Sequence, residues 1–133
     1  MLENKDTVQN QKILYVPTKL NNFIFDLEIL ERNFILQIIK MKDSVLIYLN
    51  DKDDIQFNDF SLALTDRYKR DNPISTQLLG DFNEETSKII AGKLSKKLGK
   101  VVFLSFNLKQ DRRLNPLLEK KICEEFDKIS HLL

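Results

Sequence analysis

The side chains able to do covalent, acid–base or metal chemistry are few and do not converge. The 133 residues hold one cysteine, Cys123, and one histidine, His131. One cysteine makes neither an internal disulfide nor a cysteine-based zinc site, and one histidine excludes a histidine-rich metal site and argues against a triad. Ser75, Ser87 and Ser105 have no base close by in the sequence to activate them. Asp51, Asp53 and Asp54 have the acidic density of a calcium loop. No glutamate stands at the bidentate offset and no glycine at the turn, so they read as a solvated loop. The three glycines, Gly80, Gly92 and Gly99, are scattered, which leaves neither a Walker loop nor a Rossmann fingerprint. Gln77–Asp81 (QLLGD) precedes a helix start, where a phosphate could sit in principle. One glycine beside a carboxylate makes a capped turn the better reading. Cys123 lies near an apolar helical stripe and reads as a small core group. These residues predict a protein without a catalytic centre, cofactor or metal.

Charge narrows the partners further. Lys plus Arg is 21 and Asp plus Glu is 20, a net charge of +1. No whole-chain field draws nucleic acid or an anionic membrane. The basic residues do concentrate locally, at Lys93, Lys96, Lys97 and Lys100, with Arg112 and Arg113 extending the run. Such a run is a solvated helix face or a surface that steers an acidic protein partner. As an RNA-binding surface, a competing reading, it lacks interleaved exposed aromatics, because Phe103 and Phe106 read as buried. Hydrophobic residues are 42% and charged residues 31% of the chain, the composition of an ordinary globular domain. No apolar run approaches the roughly 20 residues of a membrane span, and Met1–Asn10 does not resemble a signal peptide. The expected compartment is the cytoplasm, with the nucleus as a second location. The length suits one core, so residues 1–20 are read as a partly flexible extension and 21–133 as a single domain.

The elements that would position any site follow from periodicity. Phe23, Phe25, Leu27 and Ile29 alternate with Ile24, Asp26 and Glu28, the period of a half-buried strand. A polar break at Glu31–Asn33 separates it from Phe34–Ile39, and Lys42–Asp43 separates that run from Val45–Leu49. Three such runs with short breaks predict an antiparallel meander. Phe57–Leu64 predicts a fourth strand with Phe60, Leu62 and Leu64 on one face, and Ile13–Val16 a short edge strand. The period then changes. Ile90, Leu94 and Leu98 recur every four residues, Asp81 or Asn83 is a candidate cap and Gly99 a candidate terminator, which predicts a helix over 83–98. Lys100–Leu108 returns to strand character. Asn115 as cap and Pro116 at the first helical position open a last helix, with Leu118, Ile122, Phe126 and Ile129 as its stripe.

The faces do not balance. Phe34–Ile39, Val45–Leu49 and Val101–Phe106 are apolar on both parities, the pattern of strands covered on both sides. Two helices side by side cover about 20 Å, and five strands span about 24 Å, so the helices cover one face and no more. The parity of Leu36, Ile38, Val45, Ile47, Val102 and Leu104 is assigned to the helices. The parity of Ile35, Gln37, Ile39, Leu46, Tyr48, Val101, Phe103 and Ser105 carries more polar groups and is assigned to a partner's sheet. The fold class expected is α+β: an antiparallel sheet with two helices on one face and its other face paired with a second sheet, an α/β/β/α dimer. A closed monomeric sandwich covered by the N-terminal arm is the alternative. An exposed apolar sheet face of this size favours the dimer.

A succession of residues carries a family resemblance. Asp43–Leu49 (DSVLIYL) is followed by Arg67-Tyr68 and Pro73–Asp81 (PISTQLLGD). Thr86-Ser87, Val102–Leu108 (VFLSFNL), Leu117–Glu119 and Ile122–Glu125 (ICEE) come next. In order and spacing, over roughly residues 22–130, this resembles the proteasome assembly chaperone 3/4 family, and the chaperone 4 branch in particular. Its most specific parts are the VFLSFNL run and the segment holding Ser75, Thr76, Leu78, Leu79, Gly80 and Asp81. The acidic loop and Lys69-Arg70 look like insertions relative to that pattern. The resemblance implies a non-catalytic protein that pairs, sheet to sheet, with a chaperone 3 homologue. It implies that the pair binds α subunits of the 20S proteasome to help build the α-ring and leaves as β subunits join. Lys93, Lys96, Lys97, Lys100, Arg112 and Arg113 are the candidate α-subunit contacts. A homodimer in isolation remains open, as does a small nucleic-acid- or protein-binding module using the Lys93–Lys100 surface.

Overall fold

The alternating run at the start of the domain forms strand β1 (Asn21–Ile29), with Leu27 and Ile29 buried and Ile24, Asp26 and Glu28 exposed. The computed structural model describes residues 13–15, 17, 20–66, 68, 72–109, 111–129 and 131. Strands β2 (Arg32–Lys40) and β3 (Ser44–Asp51) complete the expected meander with uninterrupted antiparallel pairing. The break between β1 and β2 is tighter than predicted. Ile29 pairs with Arg32, so Arg32 and Asn33 belong to the strand and the turn is Leu30-Glu31 alone, both at positive φ. Two left-handed residues are what a two-residue type I′ hairpin demands. Ile13–Tyr15 lie outside any strand, so the expected edge strand does not form there; Val16, like Arg67 and Lys69-Arg70, falls outside the described residues.

Two further strands follow, β4 (Phe60–Leu64) and β5 (Ile74–Leu79), then helix α1 (Thr86–Leu98), strand β6 (Val101–Phe106) and helix α2 (Leu114–Ile129). The six strands make one sheet in the order β1-β2-β3-β6-β4-β5. The sheet is mixed rather than wholly antiparallel, because β6 lies parallel to β3. The cause is α1: a helix-length crossover after β5 returns the chain to the same end of the sheet, so β6 enters running parallel to β5, with β4 antiparallel between them. Inserting β6 at the centre has a second consequence. The chain leaving β3 must step across the end of β6 to reach β4, and residues 52–59 make that crossing.

Side-chain parity is as expected across the sheet. Phe23, Ile38, Ile47, Leu104, Ser61 and Gln77 fall in one cross-strand row, on the face where Leu36, Ile38, Val45, Ile47, Val102 and Leu104 are fully buried. Helix α1 lies over β4, β5 and β6 and helix α2 reaches β1, so the two divide that face. Ile90, Leu94, Leu118, Ile122, Phe126 and Ile129 provide the helical half of the core. Helix α1 starts at Thr86, later than predicted: Asp81 and Asn83 form a turn before it, in which Asp81 accepts the Asn83 and Glu84 N–H groups. Glu85 occupies the cap position without a side-chain bond, and Gly99 ends the helix in the left-handed region. Helix α2 is capped by Asp111, not Asn115; its main-chain and side-chain oxygens take the N–H groups of Leu114, Asn115 and Arg113. Ser61 Oγ lies 2.6 Å from Ser87 Oγ and ties the start of α1 to β4 in the core.

Candidate protein-interaction face

Among the described residues, no helix lies on the opposite face of the sheet. One cross-strand row there runs Asn22, Ile39, Leu46, Phe103, Leu62, Thr76. The assigned partner-face residues Ile35, Gln37, Ile39, Leu46, Tyr48, Val101 and Phe103 are all half-buried, against complete burial of their neighbours on the helix side. Ile24, Leu64, Ile74 and Leu79 extend the surface with exposed apolar side chains, Ile24 at 62%. The polar groups on it are few: Gln37 donates to Asn22 Oδ1 at 3.0 Å, and Asp26 pairs with Lys52 at 3.8 Å.

Ser105 differs from the assignment. It is fully buried, because the 52–59 crossing lies over it; its hydroxyl donates to the Asp59 carbonyl at 2.8 Å. Parity placed Ser105 on this face and could not see the segment covering it. The same crossing is fastened at several other points. Tyr48 Oη donates to the Gln56 carbonyl at 2.6 Å, and Asn50 Nδ2 donates to that carbonyl at 2.8 Å. Asn107 Oδ1 accepts the N–H groups of Asn58 and Asp59, and its Nδ2 donates to Ser105 Oγ. Four aromatic rings follow one another along the edge of this cover: Tyr48 to Phe57 at 6.2 Å, Phe57 to Phe60 at 5.5 Å, and Phe60 to Phe103 at 5.9 Å. Asn50, Phe57 and Asn107 are residues of this site that sequence reasoning missed. The available signal was Asn50 and Asn107, each a polar residue directly after a run apolar on both parities.

The basic residues are arranged differently from a free patch. Lys93 reaches Glu119 at 2.8 Å and Lys97 reaches Asp127 at 2.9 Å, so both bridge from α1 to α2. The hydrogen bond that the Lys97 ammonium donates to Asp127 raises the Lys97 pKa above its ordinary value. Arg113 lies 3.7 Å from Asp111. Arg112 is exposed and forms no ion pair among the described residues. Cys123 is half-buried beneath these bridges, and burial pushes its thiol pKa up, away from the thiolate a nucleophile needs.

The STQLLGD segment is an edge strand and a turn. Thr76 and Leu79 share the open face, while Ser75 and Gln77 lie on the helix side. Leu78 is half exposed. Gly80 has φ +122°, and a Cβ there would stand 2.8 Å from Asp59 Oδ1 and from Gln77 Nε2. Glycine is required because the turn closes onto the Gln77–Asp59 hydrogen bond of 3.0 Å. A cleft of about 420 Å³ beside the start of α1 is lined by Asp59, Asp81, Glu84, Thr86, Ser87 and Lys109, among others. Asp59, Asp81 and Ser87 are each engaged in the structural bonds already described, and no group of residues arranged to hold a metal occurs among the described residues.

Among the described residues, a mixed sheet with two helices on one side and exposed or half-buried apolar side chains on the other defines an α+β fold with one open sheet face. The family model for proteasome assembly chaperone 4 matches residues 33–108. Proteasome assembly chaperone 4 of Homo sapiens is 32% identical over 91 residues, covering 68% of this chain and 72% of that protein; the Mus musculus protein is 30% identical over the same span. The chain belongs to the proteasome assembly chaperone 4 family. Its fold also matches a chain from the crystal structure of a chaperone complex for yeast 20S proteasome assembly. The TM-score is 0.62, with 84% of this chain and 97% of that chain covered. At 12% identity this likeness concerns the fold alone.

Proposed function

We propose that the chain is a non-catalytic assembly chaperone that pairs through its open sheet face with a chaperone 3 homologue, and that the pair gathers 20S α subunits into a ring. The observation that carries this reading is the open face itself: a row of half-buried apolar side chains on the far side of the sheet from both helices. Monomers seldom leave such a surface to water, and a second sheet at about 10 Å is its natural cover. The yeast neighbour comes from a chaperone complex for 20S assembly, which supports a chaperone partner. The helix face then remains outward, with Lys93, Lys96, Lys97, Lys100, Arg112 and Arg113 as candidate α-subunit contacts. Arg112 is the cleanest probe of these, because Lys93 and Lys97 also hold the helices together. Those bridges also weigh against the RNA reading, since they neutralise two of its cations. Arriving β subunits would expel the pair by occupying the same surface, which requires no nucleotide.

Co-expression with tagged 20S α subunits and the organism's chaperone 3 homologue tests this reading. The expected product is a stoichiometric assembly holding both the homologue and an α subunit. A folded chain that copurifies with neither would reduce its role to something other than α-ring assembly.

A further inference from the structure

The 52–59 crossing is held far more firmly than a connection between strands needs. Tyr48, Asn50, Ser105 and Asn107, all from β3 or the end of β6, bind the backbone of Gln56, Asn58 and Asp59. Three of the four are buried polar side chains: Asn50 and Ser105 are fully buried and Asn107 nearly so. Buried polar groups of this kind are tolerated only when satisfied, and a satisfied network fixes one geometry. What that geometry displays is apolar. Ile55 is 70% exposed and Phe57 57% exposed, and neither is needed to fill the core. Beside them stand the carboxylates of Asp53 and Asp54, both on exposed residues. Phe57 is also continuous with the open face, through its stack on Tyr48 and its tilted contact with Phe60, which stacks in turn on Phe103.

We propose that this locked crossing is a preformed prong: Ile55 and Phe57 enter an apolar recess rimmed by basic residues on the partner chaperone, and so select which sheet the open face accepts. This rests on the proposed pairing through the open face and adds its anchor. An aromatic and an aliphatic side chain held rigid at the end of an interface have the form of a binding hot spot, and fixing them beforehand removes the ordering cost at association. Asp53 and Asp54 set the sign of the rim they meet and speed encounter with it. A second copy of this chain presents the same two carboxylates, so the prong disfavours self-pairing wherever the two prongs approach each other.

The test measures affinity of the purified full chain for the chaperone 3 homologue. Ile55→Asp is the primary variant, since its exposed side chain leaves folding intact, with Phe57→Ala beside it and Phe103→Asp as the face control. The prong predicts that Ile55→Asp weakens pairing by about tenfold or more, with circular dichroism unchanged. It also predicts that Asp53→Lys combined with Asp54→Lys slows association at low salt. Tyr48→Phe, which keeps the ring and removes the strut, should speed hydrogen exchange at the Asn58 and Asp59 amides and weaken pairing several-fold. Wild-type affinity for Ile55→Asp and Phe57→Ala, with Phe103→Asp inactive, overturns the prong and leaves the face. Wild-type affinity for all three overturns the pairing surface itself. Loss of α-subunit capture by Ile55→Asp with chaperone pairing intact overturns the assigned occupant.

Discussion

Asp51 holds together the end of the meander from which the prong departs. Its Oδ2 accepts from Arg32 at 3.0 Å, and its Oδ1 takes the Asp53 N–H at 3.1 Å. The Asp53 amide first, and the Arg32 guanidinium second, hold its carboxyl below the usual range. The folded state therefore binds fewer protons there than the unfolded state. This contribution is complete above about pH 4 and fades as pH falls through the lowered folded value. Asp51→Asn should reduce stability at neutral pH by up to about 1 kcal/mol, the scale of a partly exposed pair. It should also flatten the decline in unfolding free energy on acidification; a wild-type slope in the variant would place that decline elsewhere. Arg32 is placed for a second contact, 5.2 Å over the Phe34 ring. None of this was legible in the sequence, where Asp51 is one acid among three and its partner lies nineteen residues away.

Among the elements, local pattern reached as far as local chemistry goes. β1 follows from period two, β2 and β3 from apolar runs between polar breaks, and the helical stripes from period four, because burial imposes these patterns directly. The turn and cap assignments slipped by a few residues where several polar residues compete. Asn115 yields to Asp111 as the α2 cap, and the β1–β2 turn is Leu30-Glu31 rather than Glu31–Asn33. That turn invites a direct check. Leu and Glu sit at φ 52° and 64°, where side chains with a Cβ are strained and Asn-Gly is favoured. Leu30→Asn with Glu31→Gly should raise stability by about 1 kcal/mol, seen as a higher urea midpoint at unchanged slope. A lower midpoint would mean that Leu30 contributes contacts outweighing its strain.

At the scale of the molecule, sheet order was the least legible property. That β6 enters the centre parallel to β3 depends on the length of the α1 crossover, and the route of residues 52–59 depends in turn on β6. Ser105 was misread for that reason alone: its strand was assigned correctly, but a distant connection covers it. The imbalance of the two faces was legible, since two helices cannot cover both sides of a sheet this wide. The proposed pairing rests on that imbalance, and hydroxyl-radical footprinting of the chain with and without the proposed partner, a chaperone 3 homologue, tests it most directly. Protection is predicted at Ile24, Leu46, Phe57 and Phe103 on the open face, with Ile89 and Leu117 on the helix side unchanged. Protection of Ile89 and Leu117 with the open face still reactive would contradict it.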